Sequence, residues 1–294
     1  MAHQSGFVSI IGYPNVGKST LMNALVGEKL SIITHKAQTT RHRIMGIVNG
    51  ENFQVIYSDT PGIIKPHYKL HKAMMSAVFS SLEDADIILL VTEIKLVFDH
   101  EEILNKIKEI QKPVIVVINK IDLGNMEILE NEVTRWKNLL PQAEVFPISA
   151  LHGMNIDQVM KAILYHLPES PAYFSKDELT DRSERFFISE IIREKILLNF
   201  SQEIPYCTEI SVTEFKEEPT LTRIAATIHV ARESQKGILL GRQGAAIKKL
   251  GTDARKDIEI FLDKHIFLEL HIKVAKDWRE DERALKRFGY SIEK

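Results

Sequence analysis

The amino-acid sequence predicts two domains in series, a mostly parallel, doubly wound α/β sheet followed by a smaller α+β unit of element order αββααβ. Three observations carry this. From Phe7 to about Leu167 short apolar runs alternate with longer amphipathic ones, the pattern of βαβ units. The segment 166–174, with Pro168 and Pro171, then closes the last helix and reads as a boundary. Beyond about Asp181 the periodicities follow a different order, and 294 residues suit two domains of about 100 to 200 residues each.

In the first domain the expected strands are 7–12, 53–59, 86–92 and 113–119, and the helices that follow them are 19–26, 69–82, 101–110 and 126–139. The strands are nearly continuous Val, Ile and Leu, so both faces need helical cover, which favours a parallel sheet. Ligands then belong at the carboxyl ends of the strands. The second unit opens with a helix over 186–200 and continues with strands over 208–215 and 222–230, joined by the turn 216–219. A short helix, the loop Gly241-Arg242-Gln243-Gly244, a longer helix to about Asp263 and a strand over 266–274 complete it. The expected boundaries are 1–170 for the first domain, 171–185 for a linker, and 186–294 for the second domain with its tail.

Composition removes several function classes. With 44% hydrophobic and 27% charged residues the chain is an ordinary globular protein. A formal charge of −2 means that any nucleic-acid surface must be a local patch. The single cysteine, Cys207, excludes an intrachain disulfide and fits a reducing, cytoplasmic setting. The N-terminal stretch lacks the pattern of a secretory signal. The longest apolar runs, 87–91 and 114–118, fall far short of the roughly 20 residues of a membrane-spanning helix, so membrane contact would be peripheral.

Residues 12–19, GYPNVGKS, follow a predicted strand and open a predicted helix, the context that a GxxxxGK[ST] phosphate-binding loop requires. Gly12, Asn15, Val16, Gly17, Lys18, Ser19 and Thr20 form the expected cradle, in which backbone N–H groups and the helix N-terminus meet phosphates. Lys18 should reach the β and γ phosphates, and Ser19 can place its hydroxyl on Mg²⁺. Asp59-Thr-Pro-Gly62 closes the next strand, where Asp59 can hold the Mg²⁺ shell and the Gly62 N–H can meet the γ-phosphate. Asn119-Lys120-Ile-Asp122 closes the run PVIVVI; a carboxylate there can accept from guanine N1–H and the 2-amino group, whereas adenine would leave it unpaired. Ser149-Ala150 can point a backbone N–H at guanine O6.

These four motifs, in this order on strand ends, resemble the P-loop GTPase domain of the translation-factor-related class, and residues 36–43, KAQTTRHR, resemble switch I of the Era family. That resemblance implies Thr40, with Thr39 as the alternative, as a second Mg²⁺ ligand in the GTP state. Lys18, Thr40 and Gly62 are then the residues expected to act on the γ-phosphate. Ile63 stands where Ras-like enzymes carry the glutamine that orients the attacking water, so slow intrinsic turnover is expected. Era-like proteins share this replacement. Related GTPases with asparagine in the phosphate loop hold a potassium ion with it, and Asn15 occupies that position.

The order αββααβ with the GRQG loop between two helices resembles a type II KH domain, whose GxxG loop clamps the backbone of single-stranded RNA. Lys236, Arg242, Lys248 and Lys249, with Arg255 and Lys256, face only Asp253 in this stretch, and with Gly241, Gln243 and Gly244 they form the expected RNA surface. The Era resemblance extends over SEIIREKIL at 189–197, IKKLGTDARKDIE at 247–259 and DERALKRFGY at 281–290. It implies a GTP/GDP switch that binds the 3′ region of small-subunit ribosomal RNA, assists assembly of the 30S particle, acts as a monomer and associates loosely with the inner membrane. Two other readings are an RNA-binding module with a weakly hydrolysing regulatory site and a metabolic phosphotransferase. The second lacks an acceptor-substrate domain and the first would be expected to lose Lys18, Ser19 or Asp59.

Overall fold

The computed structural model describes residues 2–291; residues 1 and 292–294, the ends of the two expected domains, lie outside the described residues. The chain divides into two compact units. The first comprises 1–31, 40–65 and 74–181, and the second 32–39, 66–73 and 182–294.

The first unit carries β1 (Gln4–Ile11), α1 (Lys18–Val26), β2 (Ile44–Asn49), β3 (Phe53–Asp59), α2 (Lys69–Asp84), β4 (Ile87–Glu93), α3 (Glu101–Glu109), β5 (Val114–Asn119), α4 (Met126–Leu139), β6 (Glu144–Pro147) and α5 (Ile156–His166), with the start of α2 assigned to the second unit. The sheet order is β2-β3-β1-β4-β5-β6. Pairings β1–β3, β1–β4, β4–β5 and β5–β6 are parallel, and only the edge strand β2 runs antiparallel, because the short connection 50–52 returns the chain directly to β3. The order reverses at β1, whose neighbours are reached by crossovers on opposite sides, so the carboxyl ends of β1, β3 and β5 share one rim at the switch point. β5 is buried along its whole length, and β4 along all but its last residue, which is why their sequences read as unbroken apolar runs.

The second unit carries α6 (Glu184–Asn199), α7 (Ile204–Cys207), β7 (Glu209–Glu217), β8 (Thr222–Val230), α8 (Glu233–Leu240), α9 (Ala245–Leu262), β9 (Ile266–Val274) and α10 (Glu282–Arg287). Its three-stranded sheet has the order β7-β8-β9, antiparallel between β7 and β8 and parallel between β8 and β9. On α6, Ile188, Ile192 and Ile196 recur every four residues, and this stripe joins Leu250, Ala254 and Ile258 of α9 and the strand residues Ile224, Ala226 and Ile228 in one core. Each fully buried isoleucine contributes roughly 1.5–3 kcal/mol. The short helices α7 and α10 are additions to the αββααβ order.

Candidate nucleotide and RNA sites

The phosphate loop runs from the end of β1 to the first turn of α1. Gly17 has φ 95°, and a Cβ there would lie 2.2 Å from Asn119 Nδ2, so glycine is required both by the backbone and by the neighbour it admits. That neighbour ties the site together: Asn119 Nδ2 donates to Val16 O (2.8 Å), and Asn119 Oδ1 accepts from Ala150 N (2.9 Å). Asn15 is exposed with φ 64°, Gly12 lies at the end of β1, and Thr20 is half-buried in the first turn of α1.

Lys18 is buried and donates from Nζ to Gly12 O (3.1 Å) and Tyr13 O (2.9 Å), which uses two of an ammonium's three donors. Burial pulls its pKa down to about 8, opposed by the Asp59 carboxylate. Ser19 Oγ donates to Asp59 Oδ2 (2.7 Å) and lies 2.9 Å from Thr40 Oγ1, which itself donates to Asp59 Oδ2 (3.3 Å). Burial raises the Asp59 pKa, while Lys18 and the hydroxyls of Ser19, Ser31 and Thr40 oppose the rise. Asp59 Oδ1 is buried and has no hydrogen-bond partner. Three hard oxygen donors and one unsatisfied carboxylate oxygen fit Mg²⁺, which needs few protein ligands when phosphate and water supply the rest. Among the described residues no cluster of three or more His, Cys, Asp or Glu offers an all-protein metal cage.

Of the two threonines open to the sequence, it is Thr40 that meets Ser19 and Asp59. Thr39 Oγ1 instead bonds Lys36 O (2.6 Å) and Thr34 Oγ1 (2.8 Å). Asp59-Thr-Pro-Gly62 leaves β3 toward the phosphate loop, where the next residue's N–H, from Ile63, donates to Gly12 O (3.0 Å). The Ile63 side chain is 1% exposed and packs in the core, so it can neither contact nor orient a water.

At the base end, Asp122 Oδ1 accepts from Ser149 Oγ (2.6 Å), and this hydrogen bond is the largest cause holding the Asp122 carboxyl below its usual range. Lys120 sits in the left-handed region at φ 60° and its ammonium pairs with Glu93 at the end of β4. The Ala150 N–H, expected to face guanine O6, donates to Asn119 in this structure. The sequence reading missed the Ser149 hydroxyl and Glu93. A carboxylate closing the run IILLVTE, one strand from Lys120, was the available signal for Glu93.

In the second unit, Gly241 has φ 69°, and a Cβ there would lie 2.6 Å from Ala246 Cβ and 2.9 Å from Ala246 N, so the GRQG turn closes on α9 only with glycine. Gly244 caps the start of α9. Arg242, Gln243, Lys248 and Lys249 are exposed and Lys236 is half-buried. Among the described residues none of these four cations is in an ion pair, whereas Arg255 is taken up by Glu259. Cations left unpaired around a glycine-bounded turn suit a phosphate backbone.

A family model described as "50S ribosome-binding GTPase" matches residues 7–120, and one described as "KH domain" matches residues 203–279. GTPase Era of Syntrophus aciditrophicus is 48% identical over 98% of this chain and 95% of its own. GTPase Era of Staphylococcus haemolyticus is 42% identical, over 98% and 97%. Among solved structures, Era in complex with MgGDPNP and nucleotides 1506–1542 of 16S ribosomal RNA aligns with a TM-score of 0.94 at 40% identity, covering 99% of this chain and 100% of that one. A variant of Aquifex aeolicus Era bound to GDP and AlF4⁻ also gives 0.94 at 40% identity, covering 98% and 100%.

Proposed function

This chain belongs to the Era family of GTPases, and from that premise we propose that its nucleotide state governs binding of the second unit to small-subunit ribosomal RNA near the 3′ end, in assembly of the small subunit. One observation carries the reading: the whole-chain likeness to an Era structure that holds MgGDPNP and a 16S fragment together. The division of labour follows the two sites, with residues 1–170 handling GTP and residues 186–294 handling RNA across the linker 171–185.

Asp122, with Ser149 fixing one oxygen, reads guanine N1–H and the 2-amino group. Lys18 turns its remaining donor to the phosphates and neutralises charge as it develops. Ser19, Thr40 and Asp59 would hold Mg²⁺, which when bound would offset negative charge on the phosphate oxygens. The Gly62 N–H would donate to the γ-phosphate. With Ile63 turned into the core, no side chain at that position orients the attacking water, and slow basal turnover follows. Asn15, exposed in the phosphate loop, is the proposed potassium contact. Arg242, Gln243 and the flanking lysines clamp the RNA backbone. On the same proposal the protein acts as a monomer in the cytoplasm with a peripheral association at the inner membrane; no helix among the described residues is long and apolar enough to cross a membrane.

The test compares binding of a labelled RNA carrying the 3′-terminal region of 16S RNA to the full chain loaded with GDP or with GDPNP. Tighter binding in one state is expected. Equal affinities, or none, would refute the coupling.

A further inference from the structure

The segment 32–39 forms neither helix nor strand, so its backbone carbonyls must find donors elsewhere. It belongs to the same compact unit as α6. Arg193 of α6 is 1% exposed, and its guanidinium donates from Nη1 to Gln38 O (3.4 Å) and from Nη2 to Thr39 O. The same guanidinium is fixed from behind by Glu190, with Nε donating to Oε1 at 2.8 Å and Nη2 to Oε2. Glu209 adds charge nearby, and its Oε2 accepts from Tyr290 Oη (2.7 Å). From the other direction, Lys36 Nζ donates to the carbonyls of Leu197 and Phe200 at the C-terminal end of α6. Segment and helix therefore hold each other through two cations aimed at backbone carbonyls.

The residue that follows is Thr40, whose hydroxyl lies 2.9 Å from Ser19 Oγ. The Thr39 carbonyl and the Thr40 N–H share one rigid peptide plane. Fixing the oxygen of that plane restricts the direction in which the chain enters Thr40. A guanidinium suits this task because its planar fork can hold two carbonyls and a carboxylate together, and a lysine cannot.

We propose that Arg193 is a positioning residue for the GTP-loaded state, acting through the Thr39–Thr40 peptide and favouring triphosphate over diphosphate. The inference rests on the reading of Thr40 as a ligand made only in the triphosphate state. Its mark is a change in the ratio of the two nucleotide affinities, because a purely structural arginine would alter both alike.

Equilibrium binding of GDP and of GDPNP, each with Mg²⁺, is measured on the full chain and on Thr40→Ala, Arg193→Ala, Arg193→Lys and Lys36→Ala. Thr40→Ala and Arg193→Ala should each weaken GDPNP on the order of tenfold and leave GDP within about twofold, as expected for one charge-assisted contact. Added guanidinium ion should restore part of the GDPNP affinity of Arg193→Ala and none of that of Thr40→Ala, while Arg193→Lys should fall between parent and alanine. If Thr40→Ala shows the selective loss and Arg193→Ala does not, this inference is wrong and the reading of Thr40 stands. No selective loss in Thr40→Ala would overturn both. Should Arg193→Ala fail to fold, Lys36→Ala loosens the same segment from its half-buried end, and an unchanged GDPNP-to-GDP ratio there would overturn the proposal.

Discussion

Asp122→Asn tests the base reader with one atom changed. In the parent, Ser149 Oγ occupies Asp122 Oδ1 at 2.6 Å, so the second oxygen and the remaining lone pair of the first are left for guanine N1–H and the 2-amino group. Each hydrogen bond to a charged group is worth about 1.5–3 kcal/mol, which puts the pair at about 3–6 kcal/mol. The side chain is 23% exposed before the base arrives, which argues for the lower end, roughly 3 kcal/mol or a hundredfold in affinity. In the asparagine variant the Ser149 hydroxyl still needs an acceptor, so the amide oxygen should turn toward it and the NH₂ toward the base edge. That NH₂ opposes guanine's own amino group but can donate to the carbonyl that replaces it in xanthine. Competition binding of GDP against xanthosine diphosphate reads the outcome. GTP and GDP should weaken about a hundredfold and the xanthosine nucleotides should gain. A loss of guanine affinity smaller than about threefold, with no gain for xanthosine nucleotides, would refute the assignment.

The buried Lys18 makes nucleotide binding pH-linked. Its pKa in the free protein is about 8, below the 10.5 of an unburied lysine, and bound phosphates would raise it. At pH 9 triphosphate binding should therefore take up about 0.9 proton and at pH 7 about 0.1, measurable by calorimetry in buffers of different ionisation enthalpy; equal uptake at both would contradict it. For the nucleotide-free protein the unfolded chain binds the extra proton between pH 8 and 10.5, so stability contributed by this group rises with pH across that window. Changing Arg242 and Gln243 together to Asp should abolish 16S RNA binding while basal GTP hydrolysis continues, since both residues lie in the second unit; unaltered RNA affinity would place the RNA surface elsewhere. For the parent, about three phosphate contacts predict a log–log salt slope near −2, and a flat response would count against backbone clamping. Potassium in place of sodium should speed hydrolysis, and Asn15→Ala should erase the difference; equal rates in the two salts would dismiss the potassium site.

The candidate nucleotide site was legible because the residues proposed to form it lie near the signals that place them. Asp59 and Asn119 each close an apolar run and Lys18 follows one across the glycine-rich loop, and runs this short, rich in Val and Ile, suit interior strands. The edge strand β2, IMGIVN, escaped because it is short, carries Gly46 and is reached through a polar loop, so no periodicity sets it apart. The pair Thr39 and Thr40 could not be separated by residue type at all. Their hydroxyls are chemically identical, and the choice is made by a turn in which Thr39 bonds back to Lys36 and Thr34.

What the sequence hides more deeply is the membership of 32–39 and 66–73 in the second unit. Neither segment has a local signature for this, because the partners stand more than 150 residues away: Arg193 for Gln38 and Thr39, Arg279 O for the Leu70 N–H at 3.0 Å, and Glu282 for Lys69 at 2.8 Å. Within that unit Gln38 Nε2 also meets His71 Nε2 at 3.0 Å, which joins the two segments to each other. The first segment adjoins Thr40 and the second begins four residues after Gly62, the two positions proposed to meet the γ-phosphate. On the proposed roles of Thr40 and Gly62, a change at the γ-phosphate would pass along the chain into segments that pack within the second unit. This makes the affinity ratio between triphosphate and diphosphate, rather than the turnover rate, the quantity in which variants of α6 should declare themselves.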